Sequence, residues 1–137
     1  MKKALIILNL FLITCTAAYT QEEDNNGNEG RVRDKMVEYI QERLGLSKEE
    51  AAKFSPVFLR YFKEWRTTIK ENKGDNLVLK QKVVDLQLRY RPQFQDIVGE
   101  KRGSKIFNHQ ENFIRELKAV QQERRQNNKR PLLRRNG

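Results

Sequence analysis

Apolar side chains recur every three or four residues through four successive segments between Val32 and Val120. That step matches the 3.6-residue turn of an α-helix, so each segment folds as a helix with one apolar face. The first runs from about Arg31 to Leu44, with Val32, Met36, Ile40 and Leu44 on one line. The second carries Ala51, Phe54, Phe58, Tyr61, Phe62, Trp65 and Ile69 and runs to about Asn72. The third carries Leu79, Val83, Leu86, Tyr90, Phe94 and Ile97. The fourth, about Glu100 to Gln126, carries Ile106, Phe113, Leu117 and Val120, with Gln110 filling one position of its stripe. The fold class expected from this pattern is all-α, with about four kinked amphipathic helices in an elongated, open hairpin.

The helix ends are legible too. Gly45 suits the left-handed residue that closes a helix. Ser47 and Glu50 form an S-x-x-E capping box, with Leu46 placed to staple onto the first turn. Lys73-Gly74 ends the second helix, Asp75 caps the third, and Gly99 interrupts before the fourth. Pro56 and Pro92 lie inside apolar stripes that continue in phase, which predicts bends rather than breaks. Charged residues are 34% of the chain and apolar residues only 37%. Such helices cannot each bury two faces, so some of Tyr61, Trp65, Tyr90 and Phe94 are expected at an exposed or dimer-forming surface.

The N-terminus reads as a secretory signal over residues 1–20. Lys2 and Lys3 precede the apolar run ALIILNLFLIT, and the chain turns polar at Gln21. Ala4 to Ala18 is too short to span a bilayer. Cleavage is expected at Thr20|Gln21 and the mature protein in the periplasm. Cys15 follows a degenerate lipobox, which makes it the candidate for lipidation and membrane anchoring. Residues 21–30 carry four acids and no base and read as a flexible linker. Residues 31–123 form the helical domain. Residues 124–137 carry six bases and no acid and read as a disordered basic tail, suited to weak contact with an anionic membrane surface.

The net charge of +10 would fit nucleic acid, but export removes that partner, and none is expected. One Cys and one His, His109, cannot build a structural zinc site. No nucleophile elbow, Walker loop, dinucleotide fingerprint or zinc-protease motif is present. A non-enzyme without cofactor is therefore expected. The candidate binding surface is the basic and aromatic side of the second and third helices: Arg60, Tyr61, Lys63, Trp65, Arg66, Lys70, Lys80, Lys82, Arg89, Tyr90 and Arg91. Long-range attraction there would speed encounter with acidic or unfolded chains, and apolar patches would hold them loosely.

Two helix starts correspond at an offset of 52 residues. Leu46-Ser47 aligns with Val98-Gly99, and Tyr61-Phe62 with Phe113-Ile114. Leu46-Ser47-Lys48-Glu49-Glu50, standing before Ala51-Ala52-Lys53-Phe54, resembles the LTxxQ motif of the Spy/CpxP periplasmic proteins. Val98-Gly99-Glu100-Lys101-Arg102 stands where the second, more degenerate copy would be. Over about residues 31–126 the chain is closest in look to small exported proteins of Bacteroidetes-type bacteria labelled sensors of ECF-type sigma factors. The resemblance implies a cradle-shaped antiparallel homodimer that acts without ATP. It would hold non-native envelope proteins, or alternatively bind one envelope signalling protein of a sigma-factor system.

Overall fold

The computed structural model describes residues 27–133, with side chains through Lys129, as an all-α fold. The expected signal segment, its cleavage point, Cys15, most of the linker and the last four residues lie outside the described residues. Five helical elements follow in order: α1 (Gly27–Leu44), α2 (Lys48–Asn72), α3 (Asn76–Val98), the single turn α4 (Glu100–Gly103) and α5 (Ile106–Leu133). Among the described residues no helix is long and apolar enough to cross a membrane.

The expected punctuation is realised at atomic detail. Gly45 has φ +60°, and the Leu46 and Gly45 amides donate to the Gln41 and Glu42 carbonyls at 3.1 Å each. This is a Schellman closure, which a side chain at position 45 would strain. Ser47 Oγ accepts from the Glu50 amide at 3.1 Å, and Asp75 accepts from the Leu77 and Val78 amides. Helices α2 and α3 run unbroken through Pro56 and Pro92, both of which are exposed.

Three boundaries differ from expectation. Residues 27–30 are the first turn of α1 rather than linker, tied down where Glu29 pairs with Arg66 of α2. The expected fourth helix divides at residues 104–105 into α4 and α5. Gly103 causes the division by close approach: a Cβ there would sit 2.8 Å from the Gln95 backbone. The chain then turns through Ser104, whose hydroxyl donates to the Glu100 carbonyl and accepts from Gln95 Nε2. At the other end, helix continues through residues 124–133 rather than giving way to a tail at 124. Extending an existing helix fixes only one residue per added hydrogen bond, and Gln, Arg and Lys are good helix formers.

One core holds the elements together. Met36, Ile40 and Leu44 of α1 meet Phe54, Phe58, Tyr61 and Phe62 of α2. Leu86, Tyr90, Phe94 and Val98 of α3 and Ile106 of α5 complete it. It is rich in aromatic pairs: Tyr61 stands T-shaped to Phe94 and Tyr90, Phe107 packs edge-on to Phe94, and Phe54 stacks on Phe58. Such pairs add about 0.5–1.5 kcal/mol each beyond their buried area. Burial then fades along α5. Ile106 and Gln110 are buried, Phe113 and Leu117 half-buried, and every residue from Lys118 to Lys129 is exposed.

Candidate functional site

The eleven residues of the expected binding surface divide between core and solvent. Tyr61 and Tyr90 belong to the core, at 0% and 5% exposure, and offer no face to a client. Their rings complete the α2–α3 seam, which a thin two-helix layer cannot close with aliphatic residues alone. The Tyr61 hydroxyl donates to Gln110 Oε1 at 2.7 Å. Burial pushes its pKa up to about 12. The Tyr90 hydroxyl donates to Glu64 Oε1 at 2.5 Å; burial, then that carboxylate, raises its pKa.

Glu64 anchors the seam from the other side. It takes Tyr90 on one oxygen and Arg89 on the other, at 2.5 Å, and the Tyr90 bond is the chief cause of its lowered pKa. Arg89 also stands over the Tyr90 ring, 5.7 Å from its centroid. Its charge is therefore partly offset by Glu64, although the side chain stays 62% exposed. Arg66 likewise meets Glu29.

The remaining bases, Arg60, Lys63, Lys70, Lys80, Lys82 and Arg91, are exposed. They do not share one face. With 100° per residue, Arg60 flanks Glu64 at the α2–α3 seam, while Lys63 and Lys70 lie on the outer side of α2. Lys80 and Arg91 lie on one flank of α3, between its buried stripe and its outermost line. The bases surround the hairpin rather than line a single concavity, and the salt-bridging Arg66 and Arg89 are themselves exposed.

Exposed apolar surface is concentrated on α3. Leu77 is 79% exposed, Val84 51% and Leu88 49%. Their spacing of seven and four residues puts them on one line, opposite the buried Leu86, and Lys80 and Arg91 both lie along one flank of it. A second apolar feature is a cleft of about 240 Å³ where α1, α2 and α5 meet. Met36, Phe62, Trp65, Ile114 and Leu117 line it and Arg66 stands at its rim. Trp65 is half-buried here and packs on Phe62, with ring centroids 5.6 Å apart.

The two helix starts that correspond at the 52-residue offset come together in space. Glu50 does not complete the capping box. Its Oε2 lies 2.8 Å from Arg102 Nη1, in a geometry too bent for a hydrogen bond, so the contact is ionic. Arg102 also donates from Nε to the Val98 carbonyl at 2.9 Å. Gly99 has φ +88°, which explains why no hydroxyl residue stands in the second copy: the chain passes from α3 to α4 through one residue in a region that Ser and Thr avoid. Leu46 is half-buried and Val98 buried against the common core.

Three residues that matter were not singled out for these roles in the sequence. Gln110 reads there only as a polar gap in a stripe, Arg102 only as the last residue of the degenerate second stretch, and Glu64 is given no role. The correspondence of Arg102 with Glu50 at the repeat offset was the one signal for their pairing. Among the described residues no group of three or more His, Cys, Asp and Glu is placed to hold a metal ion. His109 is half-buried; burial, then Arg43 and Lys105, lowers its pKa.

No protein-family model, curated protein or solved structure matches the chain.

Proposed function

We propose that the protein is an ATP-independent, chaperone-like binding protein of the cell envelope, as its resemblance to the Spy/CpxP proteins implies. The observation that carries the reading is the exposed line Leu77, Val84 and Leu88, with the exposed bases Lys80 and Arg91 along one flank of it. A small, highly charged fold gains nothing in stability from three such residues in water, whereas apolar side chains among cations suit loose capture of non-native chains. The Trp65 cleft gives a second, shallower apolar contact on another side of the molecule. Binding would then be polyvalent rather than confined to a pocket.

The same α3 line would serve a homodimer, the assembly that the resemblance implies. Sedimentation separates the two uses: a monomer leaves the line free for clients, and a dimer dissociated by Leu88→Glu assigns it to self-association. The function itself is tested by aggregation of a denatured client. Suppression at low salt, weakened at high salt and by Val84→Gln with Leu88→Gln, is the expected result. No suppression at several-fold molar excess defeats the reading. Pull-down from envelope extract distinguishes the alternative: one stoichiometric partner supports a regulatory sensor, and a broad set of clients supports the chaperone.

A further inference from the structure

The distal half of α5 has no role in the core and none in the surface just described. Every residue from Lys118 to Lys129 is exposed, and Val120 is the only large apolar side chain among them. A helix that is polar all round gains no stability from burial, so its exposed side chains are free to meet a partner. Its charge is one-sided. With 100° per residue, Arg115, Lys118, Arg125 and Lys129 fall within a sector of about 80°, with Gln122 between them. The opposite side carries Val120, Glu123, Arg124 and Asn127, whose charges cancel. Lys118 and Lys129 are about 16 Å apart along the axis. Glu111, two turns before Lys118 on the same line, marks the end of the cationic stripe where α5 enters the packed body.

The geometry points to a docking arm for an anionic phospholipid surface. A straight helix with cations in one sector presents all of them at once to a plane. A nucleic-acid groove curls around more than one side of a helix, and here the opposite side carries only Arg124, offset by Glu123. Gln122 and Gln126 add donors for headgroup phosphates, and the scarcity of apolar side chains limits the arm to lying on the headgroups without insertion. The sequence beyond adds Arg130, Arg134 and Arg135 to the same charge. The inference is independent of the client-binding reading: it uses neither the α3 line nor the Trp65 cleft.

Co-sedimentation of the full chain with phosphatidylglycerol/phosphatidylcholine vesicles tests it. Uptake by pure phosphatidylcholine vesicles, which reports the apolar run at residues 4–14, is subtracted. Binding to the anionic vesicles and its loss at high salt are expected. The variant K118Q/R125Q/K129Q should bind on the order of 100-fold more weakly at low salt, from the typical contribution of each base near a charged membrane. The charge-matched variant K48Q/K53Q/K105Q, altered at exposed positions elsewhere in the fold, should bind nearly as the parent does. Unchanged binding by the α5 variant, an equal loss in the charge-matched variant, or preference for duplex DNA over the vesicles overturns the proposal. Circular dichroism of both variants confirms that the fold is intact, since none of the six side chains is buried.

Discussion

Glu50 and Arg102, 52 residues apart and at the same position of two related segments, face each other as an ion pair at 2.8 Å. The pair links the start of α2 to the turn α4, so two helix starts that look like copies in the sequence are braced against one another in the fold. Arg102 is 37% exposed and Glu50 29%. Solvent screening at that exposure limits the pair to about 1 kcal/mol or less. A double-mutant cycle with E50Q and R102Q should give a coupling of that size by urea unfolding, and the swap E50R/R102E should recover part of it. Ser47→Ala, which removes the α2 cap but leaves the ion pair intact, should cost about 1 kcal/mol by itself.

Placing a hydroxyl residue at position 99, where the resemblance calls for one, should damage the protein. Gly99 lies at φ +88° and Gly103 has a backbone neighbour at Cβ distance. Gly99→Thr restores the hydroxyl of the motif but forces a β-branched residue into a region it avoids, at a cost of about 1–3 kcal/mol. Gly103→Ala pushes α4 off Gln95, and overpacking of this kind costs about 1–3 kcal/mol. Thermal unfolding of the two variants measures both. Gly74→Ala, which meets nothing within 4 Å and has no positive φ, is the matched control and should leave stability nearly unchanged.

Helix existence, the Gly45 closure and the Ser47 and Asp75 caps are legible because each depends on residues within one or two turns. What the sequence hides is set by distance in space. Nothing near Tyr61 shows that its hydroxyl will meet Gln110, 49 residues away, or that Glu64 will draw in Tyr90 and Arg89. An aromatic residue among cations reads as surface until the partner helix is placed over it. The extent of α5 was hidden for the opposite reason: residues 124–129 have no apolar pattern, and a helix continued from a packed segment needs none. The candidate surface was therefore legible in composition but not in arrangement.

Removing the Tyr61 hydroxyl should expose the cost of Gln110. Its Nε2 has no hydrogen-bond partner among the described residues, and its Oε1 is held only by Tyr61. Tyr61→Phe leaves both ends unpaired in the core and should cost about 1–3 kcal/mol. The double variant Tyr61→Phe with Gln110→Leu should lose less than Tyr61→Phe alone, because no polar group then remains buried there. Recovery in the double variant is the readout that separates an unpaired amide from lost packing.

The same hydroxyl sets an alkaline limit. A phenol whose pKa is raised from 10.0 to about 12 in the fold keeps its full contribution below pH 10. Above that the unfolded chain ionises first, and stability falls as pH rises through the folded value. Tyrosinate absorbance followed across alkaline pH should show Tyr61 ionising together with unfolding. Tyr61→Phe should remove that component while leaving the exposed tyrosine fraction unchanged.

Acid acts in two separate windows. His109 has a pKa below its usual 6.5 because burial, Arg43 and Lys105 all oppose its charge. Its neutral form is the one that the fold accepts, so its effect is absent above pH 6.5. Stability then falls as pH drops from there through the lower folded value, because the unfolded chain takes up the proton first. Glu64 acts later. Its pKa lies below the usual 4.5, so the stability from its bonds to Tyr90 and Arg89 is present above pH 4.5 and lost as pH falls through the folded value. Thermal midpoints measured between pH 7 and pH 3 should therefore decline in two steps. His109→Gln should flatten the upper step alone, and Tyr90→Phe should shrink the lower step alone. A single step removed by neither variant would place the acid sensitivity in other groups.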